Sequence, residues 1–147
     1  MRRLFVLGAI SLAALAACTT YRDDLSRGQT AFEQNNHERA LAIFRHLERE
    51  SSHLSTPERA HYAYLRGMTD YRIGYRADAR HWLMVAKAID TETPGVLPAD
   101  WKTRLNEALG ELNEVVYASG VDSLTNSRKP RGEEPAPKKK AKSEDEP

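Results

Sequence analysis

The 147-residue chain has little that could cross-link it or give it a strong charge. Its single cysteine, Cys18, has no internal partner for a disulfide. The basic and acidic side chains nearly balance at 22 and 21, so no charge excess favours nucleic acid. The longest apolar run, residues 4–17, is shorter than the roughly 20 residues that a membrane-spanning helix needs. These absences argue against a disulfide-stabilised fold, a nucleic-acid-binding protein and a retained transmembrane helix.

The N-terminus has the features of a secretory signal peptide, predicted over residues 1–17, with two arginines before the apolar run and small residues after it. The stretch Leu15-Ala16-Ala17-Cys18 resembles the lipobox of bacterial lipoproteins, in which the cysteine thiol receives a diacylglyceryl group and the chain is cleaved just before it. The resemblance implies that Cys18 anchors the chain to a lipid bilayer. Residues 18–24 are expected to form the lipidated tether, although residues 21–24 could instead be the first turn of a helix. An ordinary signal peptide that ends by chance in a cysteine is the alternative.

The residue after the cysteine indicates the membrane to which the protein is anchored. In Gram-negative lipoproteins an aspartate there usually retains the protein in the inner membrane, so Thr19 implies the outer membrane and a domain that faces the periplasm. Cleavage before Cys18 leaves 20 basic and 21 acidic residues. Export and this near-neutral charge both argue against a nucleic-acid partner.

The periodicity of residues 56–90 predicts two helices joined by a tight turn at residues 74–76. Thr56 is the expected N-cap, and Pro57 suits the first helical position, where its missing N–H costs nothing. Apolar and small residues recur at steps of three and four in both helices. These residues are Ala60, Ala63, Tyr64, Gly67, Met68 and Tyr71 in the first helix, and Ala79, Leu83, Ala86 and Ile89 in the second.

An earlier pair of helices, predicted over residues 21–50, aligns with this one at an offset of 39 residues. The offset equals a 34-residue period plus five extra residues in the loop 51–55, and a period of that size is typical of helical repeats. The aligned positions are Gly28 with Gly67, Asn35 with Gly74, Ala40 with Ala79, Phe44 with Leu83, and Leu47 with Ala86.

These positions resemble the tetratricopeptide repeat (TPR) family over residues 21–90, with a weaker continuation to about residue 119. The resemblance implies an all-α fold of stacked helical hairpins, about five helices in one domain over residues 25–119. The sequence departs from the family in two ways. The usual tryptophan and leucine early in the first helix are absent, and Arg66 and Asp70 stand where large apolar residues are usual. The residues expected to pack the repeats are Gly28, Ala40, Phe44, Gly67, Ala79 and Leu83.

The C-terminal part divides into a linker, a last helix and a tail. Residues 91–98 contain Pro94-Gly95 and are predicted to be a linker. Residues 99–118 form an amphipathic pattern, and such a closing helix would cover the core side of the last pair. Residues 126–147 lack aromatic residues and are predicted to be disordered. The lysines of this tail could make a weak contact with lipid phosphate or an acidic partner, or the tail could simply be solvated.

No pattern in the chain points to catalysis, a cofactor or a metal. The five histidines do not have the spacing of known metal ligands, and no nucleophile motif or phosphate-binding loop is present. We therefore expect no enzyme activity, no catalytic residues, no cofactor and no metal site. A small-ligand or metal-binding module that uses the histidines is the least favoured alternative.

In the TPR family the first helix of each pair lines a concave surface, and the resemblance assigns residues of this chain to it. We call them the groove residues. The chain lacks the Lys and Asn pattern of chaperone-binding members, so an acidic C-terminal peptide is not favoured. The aromatic and thioether stripe among the groove residues suits an apolar helix or an extended peptide. Alternatively, the stripe packs its helix against a neighbour. The groove residues are His61, Tyr64, Met68, Tyr71 and Arg72 in the second pair, with Gln29 and Phe32 in the first.

The sequence therefore favours an adaptor that holds one or more unidentified envelope proteins at the membrane. A structural envelope component that self-associates as a homo-oligomer is the second hypothesis. Both hypotheses use the lipid anchor at Cys18, and neither involves catalysis.

Overall fold

The computed structural model describes residues 21–125, in which helices are joined by short connections and no strand is found. The prediction of an all-α fold with about five helices is confirmed over this range. The predicted signal peptide, Cys18 and the tail 126–147 lie outside the described residues. The helices are α1 (21–33), α2 (His37–Glu48), α3 (Thr56–Ile73), α4 (Arg76–Glu92), α5 (Ala99–Ser119) and α6 (Asp122–Thr125), with a 3-10 turn at Ser51–His53.

The first four helices form two consecutive hairpins, and each hairpin turns at a residue with positive φ. Asn35 has a φ of 57° between α1 and α2, and Gly74 has a φ of 97° between α3 and α4. Asparagine and glycine are the residues that adopt this left-handed conformation at least cost. The side chain of Asn36 then accepts a hydrogen bond from the N–H of Arg39 and caps α2. Both hairpins therefore turn through a left-handed backbone conformation, at positions 39 residues apart.

The start of α3 differs by one residue from the expectation. Ser55 is the N-cap, so the prediction of Thr56 as cap was wrong, and Pro57 occupies the second helical position. The cause is Glu58, whose carboxylate accepts hydrogen bonds from the Ser55 N–H at 2.9 Å and from the Ser55 hydroxyl at 2.6 Å. These bonds lower the pKa of Glu58 and fix the entry of the chain into the helix.

Glycines let the two helices of each hairpin approach closely. A Cβ at Gly28 would collide with the ring of Phe44, and a Cβ at Gly67 would lie 2.8 Å from Cγ of Leu83 and 2.9 Å from its backbone nitrogen. Each glycine thus meets the large residue that lies 16 positions further along the chain. Of the other repeat-packing residues, Ala40 and Ala79 are fully buried.

Helix α5 runs antiparallel to α4 and also packs along α3. Three side-chain contacts join α4 to α5: Arg80 to Asn113 at 2.7 Å, Lys87 to Asn106 at 3.0 Å and Lys102 to Asp90 at 3.7 Å. Helix α4 continues to Glu92, two residues past the predicted end of the second repeat. The connection that follows is pinned by Leu97, which is buried and donates its N–H to Asp90.

Helix α6 is a short element that the sequence reasoning missed. The chain leaves α5 at Gly120, which has a φ of 80°, and returns so that Leu124 is buried in the same core as the long helices. The core is one cluster to which all six helices contribute. Its position between the two hairpins and α5 determines which faces of α3 remain accessible.

Candidate functional site

Three of the groove residues lie where α5 packs against α3. Tyr64 is only 1% exposed and stacks on the Trp101 ring, with centroids 4.4 Å apart and planes 14° apart. His61 donates from Nε2 to the carbonyl oxygen of Val96 at 3.0 Å, and its ring also contacts Trp101. Met68 is buried one turn further along. This part of the predicted groove is therefore a helix–helix interface, and burial raises the pKa of the Tyr64 hydroxyl to about 12.

Helices α3 and α5 are again in contact near the C-terminal end of α3. The hydroxyl of Tyr71 donates to the carboxylate of Glu111 on α5, and this hydrogen bond raises the pKa of Tyr71. The other oxygen of Glu111 lies 3.6 Å from Nη2 of Arg76 on α4. One carboxylate thus connects α5 to both helices of the second hairpin.

Between these two contact regions α3 and α5 leave an open cleft of about 300 Å³, which we call the α3–α5 cleft. Its apolar wall consists of Met68 and Ala108, both of which are buried. Arg72 comes from α3 and Arg104 from α5, and neither guanidinium forms an ion pair with any residue in the described range 21–125. The cleft is lined by Met68, Tyr71, Arg72, Arg104, Glu107, Ala108 and Glu111.

The two groove residues predicted on α1 do not line this cleft. Gln29 donates to Glu33 one turn away, at 2.8 Å. Phe32 is half-buried against the ring of His37 at the start of α2. Burial and the nearby charge of Arg72 lower the pKa of His37, so the charge of Arg72 is felt at the end of α1. The groove residues therefore form a set on α3 that is buried or half-buried, an exposed arginine and a separate pair on α1.

The sequence reasoning missed a buried cluster of charges on the opposite side of α3, which we call the ion cluster. Arg66 is 4% exposed, and its Nε donates to Oδ2 of the fully buried Asp70 at 2.8 Å. Its Nη1 donates to Glu48 of α2 at 2.8 Å, and the guanidinium lies over the ring of Trp82 of α4. The signal in the sequence was the presence of a charge at two repeat positions that usually carry apolar residues.

Within the ion cluster one polar atom has no hydrogen-bond partner among the described residues. Oδ1 of Asp70 is buried and accepts no hydrogen bond from the part of the chain described here. Burial raises the pKa of this carboxyl to about 6, although the charge of Arg66 opposes the shift. Buried charges in proteins are usually paired or bound to a metal, and buried polar atoms are usually hydrogen-bonded, so the unsatisfied oxygen of Asp70 makes this cluster an unusual feature of the core.

Comparison with known proteins identifies no relative of this chain. No family model, no curated protein and no solved structure matches the chain. Among the helices of residues 21–125, none has the length and apolar composition needed to cross a membrane. Within the same range, no group of three or more His, Cys, Asp or Glu side chains has an arrangement that could hold a metal ion.

Proposed function

We propose that the chain is a lipid-anchored envelope protein whose short stack of TPR-like hairpins holds a partner protein at the membrane. The observation that carries the proposal is the repetition of one contact geometry at an offset of 39 residues. Gly28 meets Phe44 as Gly67 meets Leu83, and both hairpins turn through a positive φ. Repeated hairpins stack through equivalent faces, and their stacked first helices form an extended surface suited to binding another chain.

The position of α5 supports the TPR-like arrangement. It contacts α3 at Tyr64 and Tyr71 and continues the order that α1 and α3 begin, since Arg22 of α1 reaches Glu58 of α3 at 2.6 Å. Two repeats are fewer than the three that such arrays usually need for stability. In this proposal α5 acts as the first helix of a third unit and supplies the missing interface.

The lipid anchor rests on the lipobox-like sequence that ends at Cys18. Each buried CH₂ of an acyl chain contributes about 0.8 kcal/mol, so two or three chains on Cys18 would hold the protein firmly. In cells, we expect Cys18→Ser to move the protein out of the membrane fraction. Thr19→Asp is the matched variant, because it keeps the anchor and is expected to move the protein from the outer to the inner membrane. A Cys18→Ser protein that stays in the outer membrane would overturn the anchor.

The α3–α5 cleft is the proposed contact point for the partner. Its buried Met68 and Ala108 offer an apolar wall, while Arg72 and Arg104 remain free to meet an oxygen atom of the incoming chain. A cleft of about 300 Å³ has room for one or two side chains. It therefore suits a single anchoring side chain of a larger contact.

Self-association is the second candidate, and one observation favours it. Tyr117 is 89% exposed at the end of α5, and Val121 is 61% exposed in the connection that follows. Exposed apolar side chains that lie close together in the chain can form a contact between copies. Light scattering of the unlipidated protein separates the candidates. A monomer supports the adaptor, whereas an oligomer that Tyr117→Ser dissociates supports the structural component.

A further inference from the structure

The ion cluster joins three helices through one guanidinium. Arg66 belongs to α3, and its charge is shared between Asp70 on the same helix and Glu48 on α2. The aromatic ring of Trp82 on α4 covers the guanidinium at 5.5 Å. The neighbouring Tyr62 is also buried and donates its hydroxyl to the carbonyl oxygen of Phe44 on α2. The contact between the two hairpins therefore contains buried polar groups.

The two carboxylates that share Arg66 are in different surroundings. The side chain of Glu48 is 46% exposed, so water solvates its charge. Asp70 is fully buried, and only one of its two oxygens is hydrogen-bonded within the described chain. An ionised carboxylate with an unsatisfied oxygen in the core is unfavourable, and a proton on Asp70 removes the charge.

Charged groups on all sides of Asp70 determine when that proton binds. Arg66 of α3 and Arg45 of α2 favour the ionised form, and Asp78 of α4 disfavours it. Helix α5 meets α3 through Tyr64 and Tyr71, which lie on another face of the helix. Burial is the largest effect, so the carboxyl binds a proton more readily than an exposed aspartate.

We propose that the ion cluster is a proton-controlled latch between the two hairpins, in which protonation of Asp70 leaves Glu48 as the only ionised partner of Arg66 within residues 21–125. Above the titration range, Arg66 divides its attraction between a partner within α3 and a partner on α2. Below that range its attraction is directed to α2, so acidification tightens the contact between the first and the second hairpin. This latch requires neither the lipid anchor nor a bound partner.

The direction of the stability change follows from the raised pKa of Asp70. The unfolded chain releases this proton near pH 3.8 and the folded chain near pH 6, so the stabilisation is complete at low pH and is lost as the pH rises through about 6. Between about pH 8 and about pH 5 the unfolding equilibrium constant of the wild-type protein should fall about tenfold relative to that of Asp70→Asn. Asp24→Asn is the matched control, because Asp24 is also ion-paired, to Arg27 on α1, but its side chain keeps 15% of its surface exposed.

The latch itself is tested through Glu48. Urea unfolding should show that Glu48→Gln weakens the protein more at about pH 5.5 than at about pH 8, because Arg66 shares its charge with ionised Asp70 at the higher pH and depends more strongly on Glu48 once Asp70 is protonated. In the Asp70→Asn background the loss should be the same at both pH values. A loss from Glu48→Gln that does not change with pH in the wild-type protein would overturn the proposal.

A direct measurement covers the case in which Asp70→Asn fails to fold. Carbon NMR of the side-chain carboxyl groups of the full-length protein follows each aspartate without any substitution. We expect one aspartate to titrate near pH 6, and its resonance to shift together with the Arg66 Nε–H signal. If Asp70 titrates in the range of exposed aspartates, near pH 4, the cluster is a static ion pair and the proposal is wrong.

Discussion

The close approach of α3 to α4 at Gly67 gives the sharpest prediction for the fold. An alanine Cβ there would lie 2.8 Å from Cγ of Leu83 and 2.9 Å from its backbone nitrogen. The nitrogen belongs to α4 and cannot move unless the helix moves. Overpacking of this kind costs about 1–3 kcal/mol, while alanine gains about 0.5–1 kcal/mol over glycine in a helix. We therefore expect Gly67→Ala to lower the free energy of unfolding by about 1 kcal/mol, the difference between the middle values of these two ranges.

Gly110 supplies the matched control on α5. It is also helical, but it is exposed and no atom would lie within 4 Å of an added Cβ. Gly110→Ala should therefore raise stability by about 0.5–1 kcal/mol. For a domain of this size, thermal unfolding followed by circular dichroism shifts by about 4–8 °C per kcal/mol, so the two variants should move the midpoint in opposite directions. An increase for both variants would refute the close contact between α3 and α4.

Gly28 extends the test to the first hairpin. The three atoms nearest to its added Cβ all belong to the ring of Phe44, a side chain that a second substitution can shorten. Phe44→Leu should therefore recover part of the loss caused by Gly28→Ala. Leu83→Ala should recover less of the loss at Gly67, because the contact with the backbone nitrogen remains. The difference between the two double-mutant cycles measures the backbone part of the clash.

Three further outcomes follow from the described contacts. Gly74→Ala should lose about 1–2 kcal/mol of stability because φ is 97°, and Gly74→Asn should lose less, as both denaturation curves would show. Trp101→Ala should cost about 2–4 kcal/mol and, because it uncovers Tyr64, return the pKa of that phenol from about 12 towards 10 in an ultraviolet titration. Glu58→Gln should lose about 0.5–1 kcal/mol near neutral pH, and this loss should vanish in acid, because the lowered pKa makes the Glu58 contribution disappear as the pH falls through it.

Local chemistry in the sequence was sufficient for the turns and for the small–large contacts. Asparagine and glycine at equivalent positions indicate where the chain can adopt a positive φ, and Asn35 and Gly74 both do so. Small residues at the equivalent positions Gly28 and Gly67 indicate that the two helices of each hairpin cross closely. Both signals depend on residues within one hairpin, so a single sequence carries them. The cap of α3 was misplaced by one residue because Glu58 reaches back to Ser55, a choice between neighbours that propensity alone does not decide.

Contacts between distant parts of the chain could not be predicted in the same way. Periodicity marked Tyr64 as a residue on an apolar face, but it did not say that Trp101 would cover it. Arg66 and Asp70 looked like departures from a repeat, because their partners Glu48 and Trp82 lie on other helices. Helical spacing identifies the buried face, whereas the identity of the neighbour depends on how the helices stack.

The proposal that this chain holds a partner protein through the α3–α5 cleft is tested most directly by photo-crosslinking in cells. A photoreactive amino acid would replace Glu107 on the rim of the cleft, which leaves both arginines of the cleft in place, or, as control, the exposed Ala88 on α4, with Cys18 intact in both. We expect discrete adducts with other envelope proteins from position 107 and none of these from position 88. The same adducts from both positions, or adducts only with a second copy of this chain, would contradict the account.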